Sequence, residues 1–170
     1  ATSTSDAGTI SYRWQKSTDS SSWTDISTSS SYRPTTTETG VSYYRCIVTN
    51  TLNGYTNSVT SGTATITVTE QPQPTITGNP SNKSCYRGDS GVSLSVSATG
   101  AGTLSYQWQS SSDYETWSNI SGATGTSYSP PTSTVGVTYY RCRVTSTLGS
   151  DTKSKVSSAA TVTVNDTPVP

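Results

Sequence analysis

A repeated motif and regular alternation of apolar and polar residues predict an all-β chain of two tandem sandwich domains. The segment Gly40–Cys46, which reads GVSYYRC, returns as Gly136–Cys142, which reads GVTYYRC. Trp14 lies 32 residues before the cysteine of its copy, and Trp108 lies 34 residues before the other. A strand tryptophan followed at about this distance by Tyr-x-Cys is the framework of an immunoglobulin-type sandwich. The sequence therefore predicts two immunoglobulin-like β-sandwiches in tandem.

The apolar residues are few but regularly spaced, which favours strands over disorder. Hydrophobic residues make up 29% of the 170 residues, and a fraction this low is also found in disordered chains. Val92–Ala98 reads VSLSVSA and Ala160–Val164 reads ATVTV, so apolar side chains recur at every second position. This period is typical of half-buried strands. A thin sandwich needs only one inward residue in two, so the apolar content suffices.

The same alternation predicts eight strands in the second copy. Strand C carries Trp108, strand F carries the Tyr-Tyr-Arg-Cys motif, and strands B and G carry the two alternating runs. We expect the C–C′ turn at Ser111–Glu115 and the F–G hairpin around Leu148–Thr152. In chain order the strands are A near 74–77, A′ near 82–86, B near 92–99, C near 104–110, C′ near 116–120, E near 126–130, F near 137–147 and G near 155–164.

The two copies align with a nearly constant offset. Trp14 and Trp108 are 94 residues apart, whereas Cys46 and Cys142 are 96 residues apart. The second copy therefore has a two-residue insertion, which the alignment places near Gly122–Gly125. A period near 95 corresponds to one sandwich domain rather than to a solenoid repeat of 20–50 residues.

These offsets predict a truncated sandwich at residues 1–70, a complete one at 71–165 and the start of a further linker at 166–170. The alternating prolines of Gln71–Pro74 predict an extended connection between the domains. Ala1 aligns with Ser95, so the first copy has no counterpart of the opening strands of the second. Such a gap exposes the core and two strand edges. Either the sequence is a piece of a longer protein, or another chain donates the missing strand.

Charge and composition exclude several classes of function. The chain has 10 basic and 10 acidic residues, so it lacks the basic excess that a nucleic-acid partner requires. No apolar run approaches the ~20 residues of a membrane span, so we expect no membrane insertion by this segment. There is no histidine to serve as a general base, and we expect neither an enzyme nor a cofactor. The carboxylates, Asp19 and Asp113 among them, are expected to stabilise turns.

The three cysteines depart from the usual pattern of an inter-sheet disulfide. Val96 occupies the strand B position that would pair with Cys142, and Cys85 is the other thiol of the second copy. A Cys85–Cys142 disulfide is one prediction, because an extracellular chain allows it. Two separate buried thiols are the alternative. Cys46 has no partner within its own copy, and three cysteines without histidine do not favour a metal site.

Four aromatic residues are predicted to form the structural core. Trp14 and Trp108 occupy the strand position of the buried sandwich tryptophan. Tyr44 and Tyr140 lie two residues before Cys46 and Cys142. That spacing predicts a tyrosine corner, in which the hydroxyl bonds to nearby backbone.

Outward-pointing residues on strands C, C′ and F form a candidate binding face. Exposed aromatic rings beside arginine can stack on sugars or anchor a protein partner. The alternative is that each C′ tryptophan packs over its own sheet and holds the C–C′ hairpin. The second copy offers Gln107, Gln109, Trp117, Tyr139, Arg141 and Arg143, and the first copy offers Arg13, Gln15, Trp23, Tyr43 and Arg45.

The second copy resembles a family of bacterial immunoglobulin-like repeats found in large secreted and cell-surface proteins. The resemblance rests on Gly100–Trp108, Ile120–Pro131, Thr132–Cys142 and Ser157–Val164. It implies non-catalytic extracellular modules that serve as spacers, stalks or adhesive units, with further repeats of the same protein as partners. A carbohydrate- or host-protein-binding module is one alternative. The other is a virion or pilus subunit whose first domain is completed by a neighbouring chain.

Overall fold

A computed structural model of the chain describes residues 8–168, and the regular secondary structure within that range consists of β-strands. The chain divides into two compact units, Ala1–Glu70 and Gln71–Pro170. Both carry the strand arrangement of an immunoglobulin-like fold, so the predicted all-β fold class is confirmed.

The first unit forms one five-stranded antiparallel sheet over its described residues. The strands are β1 (Thr9–Ser17), β2 (Thr24–Ser27), β3 (Gly40–Leu52), β4 (Tyr55–Thr60) and β5 (Ala64–Val68). The long strand β3 pairs with β1 along one edge, and along the other edge it pairs first with β5 and then with β4. The sheet order is β2-β1-β3-β4, with β5 also on β3.

The second unit is a sandwich. Its strands are β6 (Thr75–Gly78), β7 (Lys83–Tyr86), β8 (Leu94–Ser95), β9 (Ser97–Thr99), β10 (Thr103–Ser111), β11 (Ser118–Asn119), β12 (Ser127–Tyr128), β13 (Gly136–Leu148), β14 (Asp151–Val156) and β15 (Ala160–Asn165). The larger sheet has the order β11-β10-β13-β15-β7, with β14 also on β13, and the opposite layer consists of the pairs β12-β8 and β6-β9. Strand β7 runs parallel to β15, while the other pairings are antiparallel.

The predicted strands B and G are each divided in two. Strand G breaks at Ser157, whose N–H donates to the Cys142 carbonyl at 2.9 Å while its Oγ accepts from the Cys142 N–H at 2.9 Å. The Ser157 hydroxyl therefore takes the place of a backbone carbonyl as the acceptor in the hydrogen bonding between the strands. Ser61 makes the same two bonds with Cys46, at 2.8 and 2.9 Å. Strand B is divided at Val96, whose N–H donates to the Thr126 carbonyl at 2.9 Å.

The core of the second unit is built around Trp108, which is fully buried. Its indole Nε1 donates to the Gly125 carbonyl at 3.0 Å, so the buried N–H has a partner. Tyr128 lies between Trp108 and Tyr140, with ring centroids 6.0 and 5.6 Å away. The structure thus buries Trp108 and Tyr140 as predicted. For Tyr140 it shows a tilted ring contact with Tyr128, and the tyrosine corner stays a prediction.

Trp14 departs from the core prediction because it is only partly buried, although Tyr44 is buried. Its local contacts match those of the second unit, since Nε1 donates to the Ser29 carbonyl at 3.1 Å and the ring lies 6.2 Å from Tyr32. Tyr32 in turn lies 5.9 Å from Tyr44. The difference is the opposite layer, which has no counterpart among the described residues of the first unit.

The structure corrects the predicted Cys85–Cys142 disulfide, because both thiols are free and buried, as is Cys46. Cys85 lies beside Val164 of β15, and Val164 lies beside Gly136 of β13. Cys142 is six residues further along β13, or about 20 Å at ~3.4 Å per residue. Bridged cysteines have Cα atoms within about 7 Å, so an intervening strand and this distance exclude the bond.

Within the segment Gln71–Pro74, which the prolines predict to be extended, Gln71 and Pro74 are buried in the second unit. The Gln71 amide donates to the Oγ of Ser146 at 2.8 Å and to its carbonyl at 3.3 Å. These residues therefore begin the second sandwich. In the predicted 166–170 linker, Asp166 pairs with Arg87 at 2.9 Å, and positions 169–170 lie outside the described residues.

Candidate functional site

The candidate binding face lies on the side of the larger sheet that points away from the core. Cross-strand pairing places Gln109 opposite Arg141 and Gln107 opposite Arg143 on strands β10 and β13. The even-numbered neighbours Trp108 and Cys142 point into the core, so strand alternation sends these four outward. We call this surface the outer face of the second unit.

Trp117, Arg141 and Gln109 form a connected ladder on the outer face, and Asn119 of β11 extends it. The Arg141 guanidinium lies 4.1 Å from the centroid of the Trp117 ring. Its Nε donates to Gln109 Oε1 at 2.8 Å, and Gln109 Nε2 donates to Asn119 Oδ1 at 2.8 Å. Gln109 is only 4% exposed, and both ends of its amide are hydrogen-bonded in this arrangement. This Trp–Arg–Gln ladder joins strands β11, β10 and β13 across the sheet.

The first unit contains the same ladder. The Arg45 guanidinium lies 4.0 Å from the Trp23 ring centroid, and its Nε donates to Gln15 Oε1 at 2.8 Å. Gln15 donates to Asp25 at 2.7 Å, where the second unit has an asparagine. Asp25 also pairs with Arg13 at 3.6 Å. The repetition of the ladder at equal distances indicates a role in holding strands together in both units.

An aspartate organises the C–C′ turn of each unit, which lies between β1 and β2 in the first unit and between β10 and β11 in the second. Asp113 accepts the N–H groups of Glu115 and Thr116 at 2.9 and 2.8 Å, together with the Ser111 hydroxyl. These bonds favour the charged carboxylate, and the two N–H bonds lower the pKa of Asp113 to about 2. Asp19 accepts equivalent bonds from Ser21 and Ser22, which hold its pKa far below the ordinary value. The predicted turn role of both aspartates is confirmed.

The residue that the sequence prediction missed is Tyr114, at the tip of this turn in the second unit. Its ring meets the Tyr139 ring edge-on at 5.0 Å and the Trp117 ring at 5.8 Å. Its carbonyl accepts the Trp117 indole N–H at 3.1 Å. Tyr114 has φ of 67°, in the left-handed region that a bulky side chain rarely adopts. The side chain is 56% exposed, so it forms the most accessible part of the cluster.

The first unit has Ser20 at the position of Tyr114, with φ of 61°. Both turns therefore use the same backbone conformation, but only the second presents an aromatic ring. A signal was available in the sequence, because aligning the copies at an offset of 94 pairs Tyr114 with Ser20. We call Tyr114, Trp117 and Tyr139 the aromatic cluster.

The remaining predicted site residues lie apart from this cluster or are already engaged. The Gln107 amide donates to the carbonyls of Trp108 and Ile120 at 2.9 and 2.8 Å. Arg143 is exposed. Burial lowers the pKa of Arg141, and the positive charge of Arg143 lowers it further. Tyr43 is half-buried on β3 of the first unit.

The thiol of Cys142 is free and lies buried in the core of the second unit. Burial raises its pKa to about 11, so the nucleophilic thiolate is scarce. Among the residues that the structure describes, no group of three His, Cys, Asp or Glu side chains is arranged to hold a metal ion. The described range also contains no helix long and apolar enough to cross a membrane.

These features define a tandem immunoglobulin-like protein whose two units share one strand-joining ladder. The chain belongs to the family described as Domain of unknown function (DUF8696), which matches residues 1–70 and 75–166. No curated protein matches the sequence.

Several solved structures resemble the chain at low identity. The tandem Ig repeats of Dlar share 17% identity over 74% of this chain and 63% of that one, with a TM-score of 0.41. Three N-terminal domains of the bacteriophage RB49 highly immunogenic outer capsid protein share 14% over 94% and 59%, with a TM-score of 0.40. Sidekick-1 immunoglobulin domains 1–5 share 17% over 93% and 35%, with a TM-score of 0.41. The chain thus spans less than two thirds of the length of each.

Proposed function

We propose that this chain is a non-catalytic, load-bearing spacer within an extracellular or cell-surface protein of a bacterium. The observation that carries the proposal is the parallel pairing of β7 with β15, in which Val162 to Asn165 lie beside Lys83 to Tyr86. Strand β15 is the last strand of the second unit, and β7 is its second strand, after β6. Tension applied at both ends pulls them past each other in shear, so the ladder bonds are loaded together.

The Trp–Arg–Gln ladder also favours a structural role. A binding face needs polar groups that a ligand can satisfy, whereas Arg141 and Gln109 already hydrogen-bond within the sheet. The ladder of the first unit engages Arg45 and Gln15 in the same way. Groups used identically in both units serve the fold that the units share, rather than one specific ligand.

Single-molecule pulling on the whole chain tests the spacer role. The Arg87 N–H donates to the Asn165 carbonyl at 2.8 Å and extends the β7–β15 ladder by one bond. Arg87→Pro removes this N–H, whereas Arg87→Ala keeps it and loses only the ion pair with Asp166. We expect Arg87→Pro to lower the unfolding force of the second unit and Arg87→Ala to leave it nearly unchanged. Equal forces in all three proteins would contradict the load-bearing role.

A second candidate function is carbohydrate binding by the aromatic cluster of the second unit. The observation that favours it is the exposed Tyr114 ring, held at a positive φ. Strained conformations of this kind persist only where the surroundings impose them, and they concentrate at functional sites. Exposed tyrosine and tryptophan rings offer apolar faces to sugar rings.

Glycan-array screening with matched variants tests this candidate. Tyr114→Ser gives the turn of the second unit the residue that the first unit has, so the backbone conformation is already compatible with the change. We expect saturable binding by the native chain that Tyr114→Ser abolishes and Ser20→Ala leaves intact. Absence of saturable binding on the array, or binding that Tyr114→Ser preserves, would reject carbohydrate recognition by this cluster.

A further inference from the structure

The outer face of the second unit differs in charge from the matching face of the first unit. In the first unit, Arg13 pairs with Asp25 at 3.6 Å, so its charge is compensated within the sheet. The positions of the second unit that align with these two residues hold Gln107 and Asn119, and both are neutral. The outer face of the second unit therefore has no counterpart of this acidic residue.

Arg143 adds a positive charge to the same face. It stands at the position of Ile47 in the first unit, two residues beyond Arg141 on β13. Residues two apart on a strand point to the same side, so both guanidinium groups belong to the outer face. The two charges repel each other, and neither arginine has an ion-pair partner among the described residues. An anion that contacts this face would relieve the repulsion.

The two arginines lie beside the aromatic cluster. Tyr139, Arg141 and Arg143 occupy alternate positions of β13 and span about 14 Å at ~3.4 Å per residue. The exposed Tyr114 ring meets the Tyr139 ring edge-on at 5.0 Å, and the Arg141 guanidinium lies 4.1 Å from the Trp117 ring centroid. These five residues form one continuous surface, which we call the basic–aromatic strip.

Hydroxyl groups lie next to the outward-facing arginine positions in both units. Thr145 Oγ1 and Ser154 Oγ are 2.8 Å apart in the second unit, and Thr49 Oγ1 and Ser58 Oγ are 2.8 Å apart at the equivalent positions of the first. Such hydroxyls can hydrogen-bond to a sugar, but both units have them. The features specific to the second unit are the aromatic ring at the turn and the unpaired positive charge.

Aromatic rings next to unpaired guanidinium groups suit a sugar that carries a carboxylate. The apolar face of a sugar ring packs on tyrosine, and a carboxylate accepts paired hydrogen bonds from the planar guanidinium. A neutral sugar can use the rings, but it leaves the repulsion between Arg141 and Arg143 in place. Charge complementarity therefore favours an acidic saccharide over a neutral one.

We propose that the basic–aromatic strip binds saccharides that contain uronic acids, with their carboxylates on Arg143 and their sugar rings on Tyr114. This inference rests on the carbohydrate-binding candidate described above and names its ligand class. Arg143 is the residue that distinguishes acidic from neutral saccharides, because it is exposed and takes no part in the Trp–Arg–Gln ladder.

Paired glycans test the charge requirement on the full chain. The array carries oligosaccharides of galacturonic, glucuronic, mannuronic and guluronic acid, each beside its methyl ester, which keeps the rings and removes the charge. We expect at least one acid to bind saturably and its ester to bind about tenfold more weakly, as for the loss of a hydrogen bond to a charged group. Added salt should weaken binding of the acid and leave the ester unchanged, because salt screens exposed charges.

Two arginine variants separate a local contact from the net charge of the chain. Arg143→Ile and Arg13→Gln each give one unit the residue of the other, and each removes one positive charge. We expect Arg143→Ile to weaken binding of the acid about tenfold and to leave the ester unchanged, whereas Arg13→Gln should change neither. Ile47 occupies the equivalent position of β3, so isoleucine is compatible with this strand.

The outcomes distinguish this inference from the candidate function on which it rests. Esters that bind as tightly as the acids, with binding lost in Tyr114→Ser, would overturn the inference and leave carbohydrate recognition standing. Equal losses in Arg143→Ile and Arg13→Gln would also overturn it, because the attraction would then belong to the whole chain. An oligoglutamate peptide that binds as tightly as the acids would overturn the choice of a saccharide. Absence of saturable binding to every glycan would reject both.

Discussion

Arg141 is held by two neighbours, with Trp117 stacked on its guanidinium and Gln109 bonded to its Nε. Strand alternation by itself makes the same positions candidates for ligand binding. Alternation places a side chain outside the core, but it does not say whether a neighbouring strand engages it. The ladder therefore turns an exposed arginine into a partly buried structural group.

We predict that Trp117→Ala destabilises the second unit by about 1–2 kcal/mol, because the cation–π contact with Arg141 and the packing of the indole are lost. Trp23→Ala should destabilise the first unit by a similar amount, because its ladder has the same geometry. Urea unfolding followed by amide exchange assigns each loss to its unit. A change below about 0.5 kcal/mol in both variants would show that the ladder contributes little to stability.

The Asp113 turn predicts a pH dependence in the acid range. The folded pKa of about 2 lies below the ordinary value of 3.8, so the unfolded chain binds a proton more readily. The stabilisation by this carboxylate is complete above about pH 4 and decreases as the pH falls towards 2. Asp113→Asn should flatten this part of the stability–pH curve for the second unit. An unchanged curve in Asp113→Asn would exclude the turn as its cause.

At the residue scale, the sequence predicted the turn aspartates but not Tyr114. Aspartate in a turn follows from local hydrogen bonding, which is visible in sequence. The positive φ of Tyr114 and its contacts with Tyr139 depend on where strands β10 and β13 bring their ends together. Bulky residues such as tyrosine rarely adopt a positive φ, so conformational propensity does not predict this backbone conformation at Tyr114.

At the scale of elements, Ser157 and Ser61 show how one hydroxyl changes a strand. Each Oγ accepts a backbone N–H from the facing cysteine and donates to the next carbonyl, at 2.8 Å for Ser158 and 2.9 Å for Gly62. The strand pairing is interrupted there, and the chain shifts from β14 to β15. In the sequence, the alternation of apolar and polar residues continues through this point, so it predicts a single strand G.

We predict that Ser157→Ala costs about 1–3 kcal/mol in the second unit, because it leaves the buried Cys142 N–H without its partner. Ser61→Ala is the matched control. Ser61 is exposed, so water can replace its hydroxyl and the loss should be smaller. Chemical denaturation of both variants measures the difference. Equal losses would contradict the assignment to burial.

At the scale of the whole molecule, we predict that the two units unfold in separate transitions, the first unit at lower denaturant concentration. The second unit buries Trp108 and Val144 completely, whereas the counterparts Trp14 and Val48 remain partly exposed. Burial of apolar surface is the main source of stability, at about 25 cal/mol per Å². Native-state exchange should therefore show faster opening of β3 than of β13. A single transition with equal protection would contradict this expectation.

The sequence by itself determined the repeat and the alternation that sends Trp108 inward and Arg141 outward. These properties follow from local geometry, because successive side chains of a strand point to opposite faces. Only the tertiary structure decided that Cys85 and Cys142 lie too far apart to bond and that Trp14 is only partly buried. It also decided that Trp117, Arg141 and Gln109 contact one another in the ladder. Each of these depends on which strands are neighbours and which layer covers them, and sequence spacing does not encode either relation.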